Sequence, residues 1–313
     1  VNKAVELLQQ GKVVAIPTET VYGLAANAFN PEAVVTIFKI KDRPFFDPLI
    51  VHTDSLQKIE GWVQDFPESA KKLAEAFWPG PLTLVLPKKE TIPDIVTAGN
   101  PTVAVRIPNH PLTLDLLSKL DFPLAAPSAN PFGYVSPTTA GHVDDQLGNK
   151  IPYILNGGPC KVGIESTIVS FASGQPTVLR LGGISLERLQ EVTGPIEVQL
   201  HQNSNPLAPG QMDSHYAPRA TFVFGQIGEQ TIVNENLLYT GAITLSRVIP
   251  WIAEENQIQL SKNENLDEAA SNIFAAMRIL DKRGLRLILA EPLPDKGLGR
   301  AVNDRLRRAA HKN

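Results

Sequence analysis

Short apolar runs alternate with stretches of helical spacing through most of the chain. Residues 13–16 are apolar, mostly β-branched and followed by Pro17, which predicts a buried strand. Residues 31–40 place apolar side chains at helical spacing and predict a helix. Such an order of strands and helices is typical of an α/β protein. Further strands are predicted at 49–51, 82–86, 102–107, 124–126 and 177–180, and further helices at 4–10, 67–77, 111–120 and 186–192.

The alternation stops at a stretch rich in Asn, Ser, Pro and Gly, which is typical of a linker. The stretch closes with the more specific sequence His215-Tyr216-Ala217-Pro218. After it, strands are predicted at 222–224, 242–245 and 285–290, and helices at 266–280 and 299–308. We therefore predict a first domain at 1–198, a linker covering the active site at 199–220, and a smaller α/β domain at 221–313.

Small polar side chains follow several of the predicted strands. Thr18 and Thr20 follow the strand at 13–16, and Ser128 and Asn130 follow the strand at 124–126. Ligands of α/β proteins bind outside the carboxyl ends of strands, which predicts a binding site at that edge. Ser and Asn beside Pro are also ordinary turn formers, so both interpretations stay open at this point.

Charged side chains add to this pattern. Lys41 and Arg43 end the predicted helix at 31–40. Cations commonly complement the dipole at a helix C-terminus, but the hydroxyl-rich loop upstream and His52 after the next strand favour an anion site. Arg106 alternates with apolar residues on a strand, where a solvated face would be ordinary. We favour a functional role for it, because a guanidinium is suited to bidentate capture of a carboxylate.

The other arginines are less distinctive. Arg180 precedes two glycines and is a candidate for phosphate contact, although a surface arginine would give the same pattern. In the predicted helix at 299–308, a tRNA or partner patch is one interpretation, and a solvated helix face is the favoured one. This second group consists of Arg300, Arg305, Arg307 and Arg308.

Composition narrows the class of protein. A formal net charge of −3, with 43% hydrophobic and 19% charged residues, fits a soluble globular protein and argues against a dedicated nucleic-acid-binding module. Cys160 is the single cysteine, which excludes an internal disulfide or a multi-cysteine zinc site, and no histidine pair has metal-ligand spacing. No apolar run matches a membrane span or a signal core, so a cytoplasmic location is expected.

Several motifs together resemble the YrdC-type domain of the threonylcarbamoyl-AMP synthase family. They are Pro-Thr-Glu-Thr-Val-Tyr-Gly-Leu at 17–24, Lys41-x-Arg43, Pro-Leu-Ile-Val-His at 48–52, Ser128-x-Asn130 and Ser166-Thr167. The motif at 215–218 and the smaller domain resemble the long form of the family, although Gln-Met-Asp-Ser at 211–214 departs from the Met-x-Tyr-Arg-like form of some members. The resemblance implies a twisted open mixed sheet with helices, then a linker and a Rossmann-like α/β domain.

The resemblance also implies an activity and a set of site residues. L-threonine, bicarbonate and ATP would be condensed into threonylcarbamoyl-adenylate with release of pyrophosphate. A partner complex would then transfer the threonylcarbamoyl group to the adenosine next to a tRNA anticodon. Mg²⁺ is expected to assist, with no metal site on the protein. Threonine would be bound by Thr20, His52, Arg106, Ala126 and Ser166. ATP would be bound by Lys41, Arg43, Asp47, Thr102, Ser128, Asn130, Ser136, Arg180 and Tyr216, of which Lys41, Arg43, Ser128 and Asn130 would be catalytic.

Two other functions compete with this one. A double-stranded RNA or tRNA-binding module without turnover is the alternative from another class, and the net charge counts against it. A carbamoyl-adenylate former of metal-centre maturation would need zinc fingers, which a single cysteine excludes. The sequence leaves open whether Thr18 or Thr20 faces threonine. It also leaves open the oligomeric state, any direct tRNA contact, the role of the second domain and the group, if any, that assists carbamate formation.

Overall fold

The structure of the protein, a computed structural model, describes residues 1–200, 206–211, 215–228 and 237–311. Within these ranges the strands form one sheet of nine strands and one of four. The strands of the first sheet are β1 (Val14–Ile16), β2 (Gly23–Asn27), β3 (Ile50–His52), β4 (Leu82–Pro87), β5 (Thr102–Arg106), β6 (Leu124–Ala125), β7 (Thr167–Ser170), β8 (Thr177–Arg180) and β9 (Glu197–Val198).

Eight helices accompany these strands in the described part of the chain. They are α1 (Asn2–Gln9), α2 (Pro31–Lys41), α3 (Leu56–Glu60), α4 (Glu68–Phe77), α5 (Asp94–Thr97), α6 (Pro111–Ser118), α7 (Ala140–Leu147) and α8 (Leu186–Thr193). The second sheet contains β10 (Thr221–Phe224), β11 (Thr240–Thr244), β12 (Gln257–Gln259) and β13 (Leu287–Ala290), with helices α9 (Leu266–Lys282) and α10 (Gly299–Ala310).

The first sheet is open and mixed, with the order β1-β2-β6-β3-β5-β4-β7-β8-β9. The pairs β3/β5, β4/β7 and β8/β9 are parallel. The other neighbouring strands pair in antiparallel fashion. The predicted α/β class and the open mixed sheet are therefore confirmed.

Both faces of the first sheet are covered. Val51, Val105 and Val169 point into the main core, where α2, α4 and α8 pack. The alternate residues Ile50 and Ala104 point to the opposite face, together with Val85, Ile168 and Leu179, and the linker residue Ala208 packs on them. Because side chains along a strand alternate between faces, strands covered on both sides are apolar throughout. This accounts for the continuous apolar runs in the sequence.

The second domain is a four-stranded parallel sheet with the order β10-β13-β11-β12. Asn265 caps α9 by accepting hydrogen bonds from the backbone N–H groups of Asp267 and Glu268. The buried apolar side chains of α9, among them Ile273 and Phe274, belong to the same apolar cluster as the main core of the first domain. One core is thus continuous across both domains.

The favoured interpretation of the C-terminal arginines is wrong for two of them. Arg305 is fully buried and Arg308 is 3% exposed, whereas Arg307 is exposed as expected. Arg305 points to the first domain, where its Nε donates to Glu165 Oε2 at 2.9 Å. A sequence pattern that marks a helix face cannot show that a carboxylate 140 residues earlier will cover that face.

Candidate active site

The candidate site lies on one face of the first sheet, and His52, Arg106 and Arg180 in its lining are the last residues of β3, β5 and β8. β3 and β5 pair in parallel with Ile50 opposite Ala104 and His52 opposite Arg106, so all four side chains point to the same face. The edge predicted from the sequence is a property of parallel sheets. In this mixed sheet β6 runs antiparallel to β3, so the carboxyl end of β6 lies beside the amino end of β3. The pocket extends along the face between these two ends, from Ala126 to His52. The pocket is lined by Thr20, Val21, Arg43, Ile50, His52, Arg106, Ala126, Pro127, Ser128, Glu165, Ser166, Arg180, Pro209, Gly210, His215 and Tyr216.

The loop after β1 presents Thr20 and uses Thr18 to hold its shape. Thr18 Oγ1 donates to the Val21 carbonyl at 2.6 Å and accepts from the N–H groups of Thr20 and Val21, both at 3.2 Å. Such a hydroxyl-to-backbone pattern fixes a turn. Of the two threonines that the sequence left as candidates, Thr20 lines the pocket and Thr18 does not.

Arg106 is held in a fixed orientation by the first loop. Its Nη2 donates to Glu19 Oε1 at 2.7 Å and to Thr20 Oγ1 at 2.9 Å, and its Nε donates to the Gly80 carbonyl at 3.3 Å. The second carboxylate oxygen of Glu19 accepts from the Asn109 N–H at 3.0 Å. Glu19, which we did not predict as a site residue, therefore orients the guanidinium of the pocket.

Arg43 and Asp47 form a buried ion pair in the turn after α2. Arg43 Nη2 lies 2.9 Å from Asp47 Oδ2 and donates to the Pro48 carbonyl at 2.9 Å. Burial raises the pKa of the Asp47 carboxyl, although Arg43 and Lys41 oppose this shift. Arg43 lines the pocket, whereas Asp47 is not part of the lining.

Lys41 supports the neighbouring loop rather than lining the pocket. Its Nζ donates to the carbonyls of Ser128 and Asn130, both at 2.5 Å. Burial, together with the nearby Arg43 charge, lowers the pKa of the ammonium well below its ordinary value. The Asn130 amide in turn donates to the carbonyls of Pro131 and Tyr134, both at 2.8 Å. Through these contacts Lys41 and Asn130 fix the backbone that carries Ser128 into the pocket.

Arg180 and Ser166 form another part of the wall. Arg180 donates to the Ser166 carbonyl at 3.0 Å and to Ser166 Oγ at 3.1 Å. It also donates to the carbonyl of the linker residue Pro209 at 3.3 Å. Burial lowers the pKa of this guanidinium to about 10, so it stays charged at neutral pH. The surface position that the sequence left open for Arg180 is excluded, because its side chain is buried.

Two histidines of the wall are buried and neutral. Burial lowers the pKa of His52 to about 3, with a further contribution from the Arg106 charge. Burial also lowers the pKa of His215 to about 3. The backbone N–H of His215 donates to the Arg308 carbonyl at 3.4 Å, and its ring lies edge-on to Tyr216 with the centroids 4.1 Å apart. Both imidazoles can therefore take part in hydrogen bonds without adding charge to the pocket.

Glu165 is a second carboxylate that we did not predict as a site residue. Burial would raise its pKa, but the charges of Arg305 and Arg180 and a hydrogen bond from Ser136 hold it below its ordinary value. The Ser136 Oγ donates to Glu165 Oε1 at 2.6 Å. Glu165 directly precedes Ser166-Thr167, so its place in the motif was visible, but nothing in the sequence marked it as facing the pocket.

Part of the linker lines the pocket. The linker residues in the lining are Pro209, Gly210, His215 and Tyr216. The cavity that remains is about 50 Å³, the volume of one or two water molecules and less than either threonine or a nucleotide occupies. Leu207 N–H and Ala208 N–H donate to the side-chain oxygen of Gln211, which folds this part of the linker on itself. Residues 212–214, part of the stretch that departs from the form of some family members, lie outside the described residues.

The predicted site residues fall into two groups. Those that line the pocket are Thr20, Arg43, His52, Arg106, Ala126, Ser128, Ser166, Arg180 and Tyr216. Those that are buried outside its lining are Lys41, Asp47, Thr102, Asn130 and Ser136. Thr102 begins β5, and its hydroxyl oxygen is buried without a hydrogen-bond partner. The lining residues that we did not predict include Val21, Glu165 and His215.

Other features of the described residues limit the chemistry. They contain no group of three or more His, Cys, Asp or Glu side chains that could hold a metal ion. Burial raises the pKa of the Cys160 thiol to about 12, which makes it a poor nucleophile. No helix in the ranges that the structure covers has the length and apolar content to cross a membrane.

Comparison with known proteins identifies the family. Residues 6–182 match the family model of Sua5, YciO and YrdC, described as telomere recombination. Residues 184–311 match the model described as threonylcarbamoyl-AMP synthase, C-terminal domain. The threonylcarbamoyl-AMP synthase of Pyrococcus abyssi is 40% identical over 326 residues, which cover 98% of this chain and 93% of the relative. The chain belongs to the threonylcarbamoyl-AMP synthase family.

Further relatives agree with this assignment. The threonylcarbamoyl-AMP synthase of Bacillus subtilis is 40% identical, over 99% of this chain and 92% of its own length. The crystal structure of P. abyssi Sua5 complexed with L-threonine has a TM-score of 0.90 at 39% identity and covers 98% of this chain and 93% of that chain. The threonylcarbamoyl-AMP synthase of Vibrio vulnificus is 39% identical over 50% of this chain and 85% of its own length. The predicted family, its long two-domain form and its enzymatic nature are confirmed over the RNA-binding alternative.

Proposed function

We propose that this chain condenses L-threonine, bicarbonate and ATP into threonylcarbamoyl-adenylate and releases pyrophosphate. The observation that carries the proposal is a single pocket that contains Arg106, suited to a carboxylate, and two further buried guanidiniums, Arg43 and Arg180. Membership of the family and the similarity to a structure with bound L-threonine support it.

We assign threonine to Thr20, His52, Arg106, Ala126 and Ser166, all of which line the pocket. The contacts of Arg106 with Glu19 and Thr20 use its Nη2 and fix the plane of the guanidinium, which leaves the other terminal nitrogen to meet the substrate carboxylate. The neutral His52 can bond the substrate hydroxyl without repelling the ammonium group. The methyl group of Ala126 leaves room for the substrate.

We assign the phosphates of ATP to Arg43, Ser128 and Arg180, and the outer wall of the nucleotide site to Tyr216. Other predicted residues support these groups without lining the pocket. Lys41 and Asn130 hold the Ser128 backbone, and Asp47 orients Arg43. Ser136 holds Glu165. Thr102 is assigned to ATP on the resemblance, and its unpartnered hydroxyl is compatible with a ligand contact.

The proposed reaction has two steps. The threonine ammonium group loses a proton to solvent, and the free amine then bonds to the carbon of bicarbonate with loss of water, giving a carbamate. A carbamate oxygen then attacks the α-phosphorus of ATP, and the bond to pyrophosphate breaks. Positioning and charge neutralisation by Arg43 and Arg180 supply the catalysis, without a covalent nucleophile.

We propose that Mg²⁺ is not resident on the protein but enters with the nucleotide. This ion is normally bound by one or two carboxylates together with substrate phosphates. The carboxylate of the pocket, Glu165, is already paired with Arg305, and the described residues offer no carboxylate cluster.

We propose that the linker, predicted at 199–220 between domains at 1–198 and 221–313, opens to admit ATP and closes over it. The pocket is too small for a nucleotide while Pro209, Gly210, His215 and Tyr216 line it. Closure excludes water from a labile acyl adenylate. Because that product is labile, we further propose that a tRNA-modifying partner complex in the cytoplasm consumes it, with at most a weak contact between this chain and tRNA.

The test is pyrophosphate release by the purified protein with ATP, comparing L-threonine with L-serine and bicarbonate with none. We expect turnover that requires threonine and bicarbonate. Arg43→Met should lower kcat/KM about 100-fold or more, because it removes a charge that neutralises the leaving group. Arg188→Met is the matched control, since Arg188 lies over the Phe77 ring, 5.2 Å from its centroid and outside the pocket lining.

Either of two results would contradict the proposal. One is pyrophosphate release that does not depend on threonine. The other is equal loss of activity in the Arg43 and Arg188 variants, both shown by thermal melting to be folded. Tight, salt-sensitive tRNA binding without turnover would favour the RNA-binding module instead.

A further inference from the structure

The side chain of Arg305 leaves the second domain and reaches the wall of the pocket in the first. It lies on α10 and is fully buried. Its Nε donates to Glu165 Oε2 at 2.9 Å, and its Nη1 donates to Asp304 Oδ2 at 2.9 Å. Its guanidinium also lies over the Tyr216 ring, 5.2 Å from the ring centroid. One cation thus contacts a pocket residue of the first domain and a pocket residue of the linker.

The two pocket residues that Arg305 contacts, Glu165 and Tyr216, are each held by a further contact. Glu165 Oε1 accepts from Ser136 Oγ at 2.6 Å, so each carboxylate oxygen has its own donor. The Tyr216 ring stacks on Phe274 of α9 at 5.4 Å between centroids. The positions of both pocket residues are therefore fixed by contacts outside the pocket.

The positive charge of Arg305 compensates the buried carboxylate of Glu165. A buried carboxylate that loses its cation must protonate, take another partner or move. Arg180 is the other cation whose charge acts on Glu165, and it is engaged with Ser166 and the linker carbonyl of Pro209. If Arg305 were removed, Glu165 would be expected to draw Arg180 away from those contacts or to become protonated.

Independent contacts show that the second domain supports the same wall. Arg278 of α9 is buried and donates to the carbonyls of Val135 and Ser136, the latter at 3.3 Å. Gly163, two residues before Glu165, has a φ of +76°, and a Cβ there would lie 2.5 Å from the Ser271 backbone of α9. The loops that carry Ser136 and Glu165 therefore rest directly on the second domain.

We propose that Arg305 is a positioning residue for the reaction: it holds Glu165 and Tyr216 in the pocket wall, so that the second domain completes the active site of the first. This inference rests on the proposed function. It assigns the second domain a part in the chemistry that acts through two pocket residues rather than through a substrate contact of its own.

The test compares Arg305→Met and Arg305→Lys in the full-length chain. Arg300→Met is the matched control, because Arg300 lies on the same helix and pairs across the domains with Glu187 at 2.6 Å, outside the pocket lining. We expect Arg305→Met to lower kcat/KM for pyrophosphate release about 100-fold, because a small displacement of the residues that position the substrates has an effect of this size. Arg305→Lys keeps the charge but not the fork of donors, and we expect it to recover about a tenth of the lost activity. The control should keep the activity of the unchanged protein.

The pH profile separates positioning from mere stability. Without the Arg305 charge, protonation of Glu165 becomes easier, so the acid limb of the kcat/KM profile should move to higher pH in Arg305→Met. A loss of stability alone would leave that limb in place in the folded fraction, which thermal melting measures. Affinity for L-threonine, measured by calorimetry, should be lowest in Arg305→Met, intermediate in Arg305→Lys and unchanged in Arg300→Met.

The outcomes are distinct. Arg305→Met that is folded, with kcat/KM within about threefold of the unchanged protein and the same acid limb, overturns the inference. If Arg305→Met does not fold, Arg305→Lys decides: unchanged activity and threonine affinity overturn the inference, and a loss of both that Arg300→Met does not share supports it. An unchanged protein that releases no pyrophosphate contradicts the proposed function, and the order of threonine affinities then still tests the role of Arg305.

Discussion

His52 and His215 are neutral side chains enclosed in a wall of arginines. Burial lowers the pKa of each to about 3, against an ordinary value of 6.5. Between those pH values the unfolded chain binds more protons than the folded chain, so the free energy of unfolding decreases as the pH falls from about 6.5 toward 3. The neutral state of these residues thus links the stability of the protein to pH in its acidic range.

The first prediction concerns His52→Gln, which removes one of these titrating groups. The loss of unfolding free energy between pH 7 and pH 5 should be about 2 kcal/mol smaller in this variant than in the unchanged protein. Urea unfolding at the two pH values measures it. His311→Gln, at an exposed position, is the control. The same pH dependence in His52→Gln and the unchanged protein would show that His52 does not carry the linkage.

At the scale of elements, the sequence predicted the longer strands and helices well. It missed β2, because Gly-Leu-Ala-Ala-Asn at 23–27 has little β-propensity. That strand exists because it pairs with β1 on one side and β6 on the other. At Gly23 a Cβ would approach the Ala126 Cβ to 3.2 Å, so the small residue serves close packing there. This strand therefore forms because of its tertiary pairing, which a local sequence pattern does not show.

The second prediction concerns the contact between the loop before Glu165 and α9. Gly163→Ala would force a Cβ to within 2.5 Å of the Ser271 backbone at a φ of +76°. Gly158 has a similar φ of +79°, but a Cβ there would meet nothing within 4 Å, so Gly158→Ala carries the backbone strain alone. We expect Gly163→Ala to lose about 1–3 kcal/mol more unfolding free energy than Gly158→Ala. Equal losses in urea unfolding would mean that the loop is not packed on α9.

At the scale of the whole molecule, the two-domain order and most of the pocket residues could be predicted. The motifs in the first domain carry hydroxyls and cations whose chemistry is visible one residue at a time. The pairing of Glu165 with Arg305 could not be predicted, because the two are 140 residues apart and each looks ordinary in its own segment.

A core that is continuous across both domains predicts that they unfold together. Ile273 and Phe274 of α9 belong to the same apolar cluster as the interior of the first domain, so opening the interface would expose apolar surface on both sides. The three tryptophans allow each domain to be followed separately, since Trp62 and Trp78 lie in the first domain and Trp251 in the second.

The last prediction is that the two sets of tryptophans report one transition. Trp251→Phe leaves the signals of the first domain, and the double variant Trp62→Phe, Trp78→Phe leaves that of the second. Fluorescence in each variant should share its urea midpoint with the far-ultraviolet circular dichroism of that same variant, which corrects for any change in stability. If Trp251 fluorescence changed at a lower urea concentration than the circular dichroism, the second domain would unfold first. Unfolding of the second domain would then remove the contacts of Arg305 with Glu165 and Tyr216 while the first domain stays folded. The geometry of the pocket would in that case depend on the stability of the second domain.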